Sequence, residues 1–263
     1  MKERIDVLLV DHGFYPDVDK AKRAVMAGIV LVNDVKVEKP GTFIKIDGEK
    51  ELNIRVKGKE SKYVSRGGLK LEKAINVFGL DFQGKKVLDV GASTGGFTHC
   101  ALLNGATHVY SVDVGTNQLD WSLRSDERVT SLENKHIKDL TLEEIDNSEI
   151  DYIVMDVSFI SITSIFSSLN KFFGENTKLM ALIKPQFEVT REMIEKGGIV
   201  RNKDYHLYAI EKVLESAKKN NFYLEFLDVS PIKGGKGNTE YISLFGKEKI
   251  EKEINIKEIV DGL

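Results

Sequence analysis

The chain has a single cysteine, Cys100, in 263 residues, so an internal disulfide is excluded. Cys100 falls in a predicted buried helix and reads as a core side chain. No apolar run reaches the length of a membrane span. The amino end, Met-Lys-Glu-Arg-Ile-Asp, is charged and has no apolar stretch of the signal-peptide kind. The five histidines show no metal-ligand spacing with the cysteine, so no metal site is expected. No internal repeat and no low-complexity segment is present. With 41% apolar and 30% charged residues, these absences describe a soluble globular protein, expected in the cytoplasm.

The net charge of −3 is unevenly placed. Residues 1–73 carry 16 Lys+Arg against 12 Asp+Glu, and the rest carries 22 against 29. A basic small unit on an acidic large one is the balance expected where the first grips a polyanion.

Ile5, Leu8 and Leu9 mark a short helix over Arg4–Asp11. Asp17 or Asp19 can cap a second over Lys20–Ala27, closed by Gly28. Ile29–Val37 reads as two strands about an Asn33-Asp34 turn, and Leu52–Val56 as another. Lys57–Lys62 is polar and charged, the best linker candidate. Ser65 can cap a helix from about Gly68 to Phe78 that carries Lys70. From there strands are expected at 86–90, 108–112, near 128–132, 151–155, 179–183, 223–229 and 240–245. Helices are expected near 97–104, 116–123, 161–172 and 204–219, and a terminal one in the tail 247–263. This alternation predicts an α/β fold with a mainly parallel sheet covered on both faces.

The most informative stretch is Lys86-Val-Leu-Asp-Val-Gly-Ala-Ser-Thr-Gly-Gly-Phe-Thr98: a buried strand, a tight glycine loop and a helix start. That is how α/β proteins hold nucleotide-like cofactors. The spacing is G-x-x-x-G-G, unlike the G-x-G-x-x-G suited to a pyrophosphate. Asp113 closes the next strand 22 residues after Gly91, where an acid can take both ribose hydroxyls of an adenosine. Together they favour S-adenosylmethionine over NAD, with Gly91, Ala92, Ser93, Thr94, Gly95, Gly96, Phe97, Asp113 and Asp156 as cofactor-binding candidates.

Four further residues sit where an open α/β sheet places reacting groups. Asp156 closes Tyr152–Met155, and Lys184 closes Leu179–Ile183. Glu240 opens Tyr241–Phe245 after the glycine-rich loop Lys233–Asn238, and Lys70 comes from the preceding helix. A ribose 2′-hydroxyl must lose its proton to attack a sulfonium methyl. Free lysine, with a pKa of about 10.4, is too basic to be found neutral at ordinary pH. A second lysine, burial and a sulfonium all push such a pKa down. Lys184 is read as the base, held by Asp156, with Lys70 and Glu240 positioning the hydroxyl. Phe159 and Phe187 are read as packing side chains.

Val64-Ser-Arg-Gly-Gly-Leu-Lys-Leu71, Asp89–Thr98, Asp113-Val-Gly115, Asp156-Val-Ser-Phe-Ile-Ser161 and Ile183-Lys-Pro-Gln-Phe-Glu188 strongly resemble the TlyA family. Members of that family are named haemolysins and ribosomal RNA 2′-O-ribose methyltransferases that modify cytidines. The resemblance implies a Rossmann-like, FtsJ-like S-adenosylmethionine-dependent methyltransferase domain over residues 65–263. Its Lys-Asp-Lys-Glu tetrad falls on Lys70, Asp156, Lys184 and Glu240. It also implies an α+β RNA-binding domain like that of ribosomal protein S-four over residues 1–58, and a linker at 59–64. Ribosomal RNA or a ribosomal subunit is the implied partner, with Lys20, Lys22, Arg23, Lys36 and Arg66 as RNA contacts. A membrane-lytic haemolysin and a non-catalytic RNA-binding assembly factor are the alternatives; no amphipathic basic helix or apolar span favours the first. Methylation of a base nitrogen is disfavoured, because Asp156 is followed by Val-Ser-Phe and not by Pro-Pro and an aromatic. No sequence feature fixes an oligomeric state.

Overall fold

The computed structural model describes residues 2–33, 35–46, 52–57, 62–234, 237–249 and 254–263. In the amino-terminal unit, β1 (Lys2–Arg4) leads into α1 (Ile5–Asp11) and α2 (Val18–Met26). The strands β2 (Val30–Val32), β3 (Val35–Lys36), β4 (Phe43–Lys45) and β5 (Ile54–Val56) follow. The i, i+3, i+4 spacing puts Ile5, Leu8 and Leu9 on one face of α1, and Ala21, Ala24 and Val25 on one face of α2. Both faces close over the inward residues of a β3-β2-β5 sheet, Val30, Val32, Ile54 and Val56. Asp17 is the cap of α2 and accepts from Lys20 N at 2.7 Å, so the helix starts at Val18, ahead of the expected Lys20. The expected turn runs through Asn33 in the left-handed region (φ 49°), while Asp34 lies outside the described residues. A second sheet, β1 antiparallel to β4, was not foreseen. Lys-Glu-Arg is polar and short, so it carries no apolar alternation to read.

The linker expectation falls largely on residues 58–61, outside the described residues. Beyond it, α3 (Gly67–Phe78) begins at an N-cap of Arg66 with no side-chain cap bond, so Ser65 does not cap it. Ser65 Oγ instead packs against Gly96.

The large unit is built on a seven-stranded sheet: β6 (Lys86–Val90), β7 (His108–Val112), β8 (Val129–Leu132), β9 (Tyr152–Met155), β10 (Lys178–Ile183), β11 (Tyr223–Val229) and β12 (Tyr241–Gly246). The spatial order is β8-β7-β6-β9-β10-β12-β11. The first five strands of that order are parallel, and β12 runs antiparallel to both its neighbours. Its central strands β9 and β10 are apolar on both faces because both faces are covered. On one side Val87, Val109, Val154 and Met180 meet α3 and α4 (Gly96–Leu103), whose Cys100 is fully buried. On the other, Leu88, Ile153, Leu179 and Ala181 share a core with Phe166, Ile210 and Val213.

The helices depart further from expectation. The segment 116–123 yields only α5 (Trp121–Arg124), because Glu133 takes the amides of Asn117, Gln118 and Leu119 at 3.0–3.2 Å. The segment 161–172 is not one helix: α6 (Phe166–Leu169) lies between two single 3₁₀ turns. Ser161 and Ser164 bond to local backbone there, which competes with α-helical pairing. A short α7 (Pro185–Glu188) was not foreseen. The long α8 (Lys203–Lys219), capped by Asn202, and the terminal α9 (Ile256–Asp261) complete the unit.

Candidate active site

Gly91 ends β6 at φ 81°, and a Cβ there would stand 3.0 Å from Val157 Cγ1 and 3.2 Å from the Asp156 carbonyl. Gly95, at φ 94°, would strike Leu123 Cδ1 at 2.3 Å. Glycine is required at both points. Between them the loop is braced by Asp113, whose Oδ2 accepts from Ser93 N at 2.8 Å and whose Oδ1 accepts from Gly115 N at 2.7 Å. Each oxygen keeps a second lone pair, so the acid can still receive a ribose diol. Helix α4 opens directly behind the loop, its free amides suited to a carboxylate. Asp113 and Asp156 supply the negative charge that a sulfonium and an ammonium require. Asp89 Oδ1 and Asp156 Oδ1 are also buried without a hydrogen-bond partner. This donor set fits S-adenosylmethionine.

Asp89 itself is fully buried. Its Oδ2 accepts from Thr98 N at 3.0 Å and Thr98 Oγ1 at 2.7 Å. Burial outweighs these bonds and pushes its pKa up to about 7. Between roughly pH 4 and pH 7 the folded protein holds a proton that the unfolded chain has released. Stability therefore falls as pH rises through that window, by about 1.4 kcal/mol per unit at most. Thermal unfolding should show the parent losing ground to Asp89→Asn between about pH 4 and about pH 7. Parallel pH profiles of the two proteins would contradict this.

The four sequence-predicted reacting residues converge at the carboxyl edge of the sheet. Asp156 and Lys184 follow β9 and β10 directly, and Glu240 reaches the same edge because β12 runs the opposite way. Lys70, one turn into α3, places its Nζ 2.9 Å from Asp156 Oδ2 and 2.8 Å from Glu240 Oε2. Lys184 Nζ stands 2.7 Å from Asp156 Oδ1 and donates to Ser158 Oγ at 2.7 Å. The Lys184–Asp156 approach is an ion pair set off the hydrogen-bond axis, since Asp156 Oδ1 has no aligned donor. Gly234 lies against Glu240, where a Cβ would come within 2.3 Å of Oε1. Gly235 and Lys236 of that loop lie outside the described residues.

Side-chain exposure is 8% at Lys70, 7% at Lys184, 3% at Glu240 and 18% at Asp156, so Asp156 is the member most open to the crevice. Two cations and two anions share one buried space, which makes their charge tolerable. Burial opposes the charge of Lys70, but Asp156 and Glu240 outweigh it and hold the amine well above its ordinary range. Crowding thus fails to lower the pKa of this lysine. Burial likewise opposes the charge of Asp156, and Lys184 and Lys70 hold that carboxyl well below the usual range.

The expectation that Phe159 packs is overturned. Its side chain is 81% exposed, and its backbone sits at φ 66°, strained for a bulky residue. The ring lies 5.6 Å from that of Phe187. The loop is pinned on both sides of it. Ser158 accepts from Lys184, and buried Glu188 accepts from Ser161 Oγ and from Ile162 N at 2.9 Å. Burial raises the carboxyl pKa of Glu188. Ser158 and Glu188 lie inside motifs that the sequence displays, but neither residue type at that place announces a role.

The basic candidates separate. Lys20, Lys22 and Arg23 lie on α2 and Lys36 on β3; three of them pair at the surface, with Asp17 (3.5 Å), Asp19 (3.1 Å) and Glu38 (2.7 Å). Arg66 stands apart, one helical turn before Lys70, with Nη1 donating to the Lys233 carbonyl at 3.4 Å. Lys233 Nζ in turn approaches Asp11 of α1 at 3.9 Å.

Residues 63–247 match the model of the FtsJ-like methyltransferase family, and residues 3–49 match that of the S4 domain. The chain is 33% identical over 262 residues to the 16S/23S rRNA (cytidine-2′-O)-methyltransferase TlyA of Mycobacterium tuberculosis, covering 100% of this chain and 96% of that one. It is 42% identical over 246 residues to Hemolysin A of Brachyspira hyodysenteriae, covering 92% and 99%. A solved structure from Streptococcus thermophilus, provisionally named a hemolysin, superposes with a TM-score of 0.78 at 42% identity, covering 99% of this chain and 95% of that one.

Proposed function

The chain belongs to the TlyA family of FtsJ-like methyltransferases and carries an S4 domain ahead of the catalytic one, and from that premise we propose that it methylates the 2′-hydroxyl of a cytidine in ribosomal RNA. It is an S-adenosylmethionine-dependent enzyme, and that cofactor supplies a sulfonium methyl. Gly91–Phe97, Asp113 and Asp156 are the residues to hold it. The observation that carries the reading is the unbroken line of contacts Glu240–Lys70–Asp156–Lys184 beside the glycine loop.

The four side chains divide the work. Lys70, fixed as an ammonium between two acids, donates a hydrogen bond to the ribose and holds it in place. Lys184 takes the proton of the 2′-hydroxyl as the oxygen becomes nucleophilic. Asp156 holds both amines, and Glu240 fixes Lys70 from behind. Transfer neutralises a developing alkoxide and a sulfonium together, so no oxyanion hole is required. Placement of the hydroxyl contributes at least as much rate as proton removal.

A cytidine in a folded RNA must leave its stack to reach a buried amine. The exposed Phe159 ring, held out by a strained backbone beside Lys184, offers its face to the extruded base. Stacking of this kind is worth about 1–3 kcal/mol. Phe159→Ala should therefore lower kcat/KM for RNA by roughly 5- to 150-fold while leaving cofactor affinity unchanged. Unchanged kcat/KM in steady-state assays would remove Phe159 from the site.

The S4 domain grips RNA phosphates through Lys20, Lys22, Arg23 and Lys36, and Arg66 takes a phosphate at the catalytic edge. Ribosomes being the substrate, the enzyme works in the cytoplasm. The reading is tested by incubating the protein with methyl-labelled S-adenosylmethionine and separated ribosomal subunits that lack the mark. Label is expected in the RNA of at least one subunit; label in neither would overturn the proposal.

A further inference from the structure

We propose that Ser158 is a positioning residue for Lys184: its hydroxyl sets the rotation of the amine so that the lone pair faces the incoming ribose. The inference rests on Lys184 being the base. A neutral amine has two N–H bonds and one lone pair, arranged tetrahedrally. Lys184 Nζ meets two acceptors, Ser158 Oγ at 2.7 Å and Asp156 Oδ1 at 2.7 Å. The bond to Ser158 fixes the tetrahedral directions at Nζ; the carboxylate draws the second N–H to the direction nearer it, which leaves the lone pair in the remaining one. They do not contribute equally to the direction of the amine. The bond to Ser158 is aligned, whereas the carboxylate oxygen lies off the hydrogen-bond axis and attracts without setting those directions. Phe187, whose ring centroid lies 5.8 Å from Nζ, fixes no torsion. Ser158 is therefore the contact that selects one rotation about Cε–Nζ.

The backbone bears this out. Ser158 immediately precedes Phe159 with its φ of 66°, and the segment is anchored from the other side by buried Glu188 at Ser161 and Ile162. A strained, doubly held loop keeps the hydroxyl in register with β10. Ser158 is exposed, so its own O–H can turn to water while the oxygen accepts from Lys184.

The test compares Ser158→Ala, Ser158→Thr and Lys184→Ala in the full-length protein. Steady-state methylation of the ribosomal subunit is measured, together with S-adenosylhomocysteine affinity and thermal unfolding. Loss of orientation at the reacting atom predicts a kcat about 10- to 100-fold lower for Ser158→Ala. KM for RNA, cofactor affinity and unfolding temperature should hold, and Ser158→Thr should recover most of the rate. Parental kcat in Ser158→Ala with an inactive Lys184→Ala overturns this inference and leaves the base assignment standing. Full activity in Lys184→Ala overturns both. A loss of kcat that Ser158→Thr fails to recover, or one accompanied by a lower unfolding temperature, assigns Ser158 to loop structure and also overturns the inference.

Discussion

Lys184→Ala should bind RNA and S-adenosylmethionine as the parent does and transfer methyl groups roughly 10²- to 10⁴-fold more slowly, the range that a positioned base contributes. The reason lies in the different company of the two lysines. Lys70 sits between two carboxylates at 2.8 and 2.9 Å and is held as a cation, a donor unable to accept a proton. Among the described residues Lys184 is the other amine that meets Asp156. Its removal leaves Asp156 and Glu240 to share Lys70, and the space vacated beside Asp156, the most open of the four, admits water to the carboxylate in excess, so the fold survives. Single-turnover assays separate transfer from product release, and filter binding checks the RNA complex. Parental transfer rates would show that another group takes the proton.

RNA affinity should fall steeply with salt. Five phosphate contacts, four on the S4 domain and one at Arg66, predict a slope of about −4.5 in a plot of log K against log salt. That is a loss of roughly 500-fold between about 50 and about 200 mM. The surface pairs of Lys20, Lys22 and Lys36 with neighbouring acids do not remove these cations from service. Each pair is half exposed, screened and weak, and yields to a phosphate. Replacing Lys20, Arg23 or Arg66 singly with Ala should flatten the slope by about 0.9 each. A flat response, or single variants with the parental slope, would place the RNA grip elsewhere.

The central strands of the large unit were readable because parallel strands covered on both faces are near-continuous apolar runs, as in Leu179–Ile183 and Tyr152–Met155. The reacting residues were readable for the same reason: Asp156 and Lys184 interrupt the runs at the edge where a sheet of this kind displays its chemistry. What escaped was decided by long-range polar contacts. The helix expected at 116–123 is undone by Glu133, fourteen to sixteen residues away along the chain. Ser158 gains its place from Lys184, and Ser161 from Glu188, across 26 and 27 positions. Phe159 could not be told from a core aromatic, because nothing local announces a positive φ at a phenylalanine. Strand β1 pairs with β4 in a register that its polar Lys-Glu-Arg sequence does not announce.

The most direct measurement is where the methyl group lands. RNA labelled by the enzyme is hydrolysed with alkali, which cleaves a chain only where a free 2′-hydroxyl can attack the adjoining phosphate. The label should emerge in a dinucleotide that resists hydrolysis and yields 2′-O-methylcytidine on further digestion. Label recovered in single nucleotides, on the base, would contradict an active site in which a lysine draws the proton from a sugar.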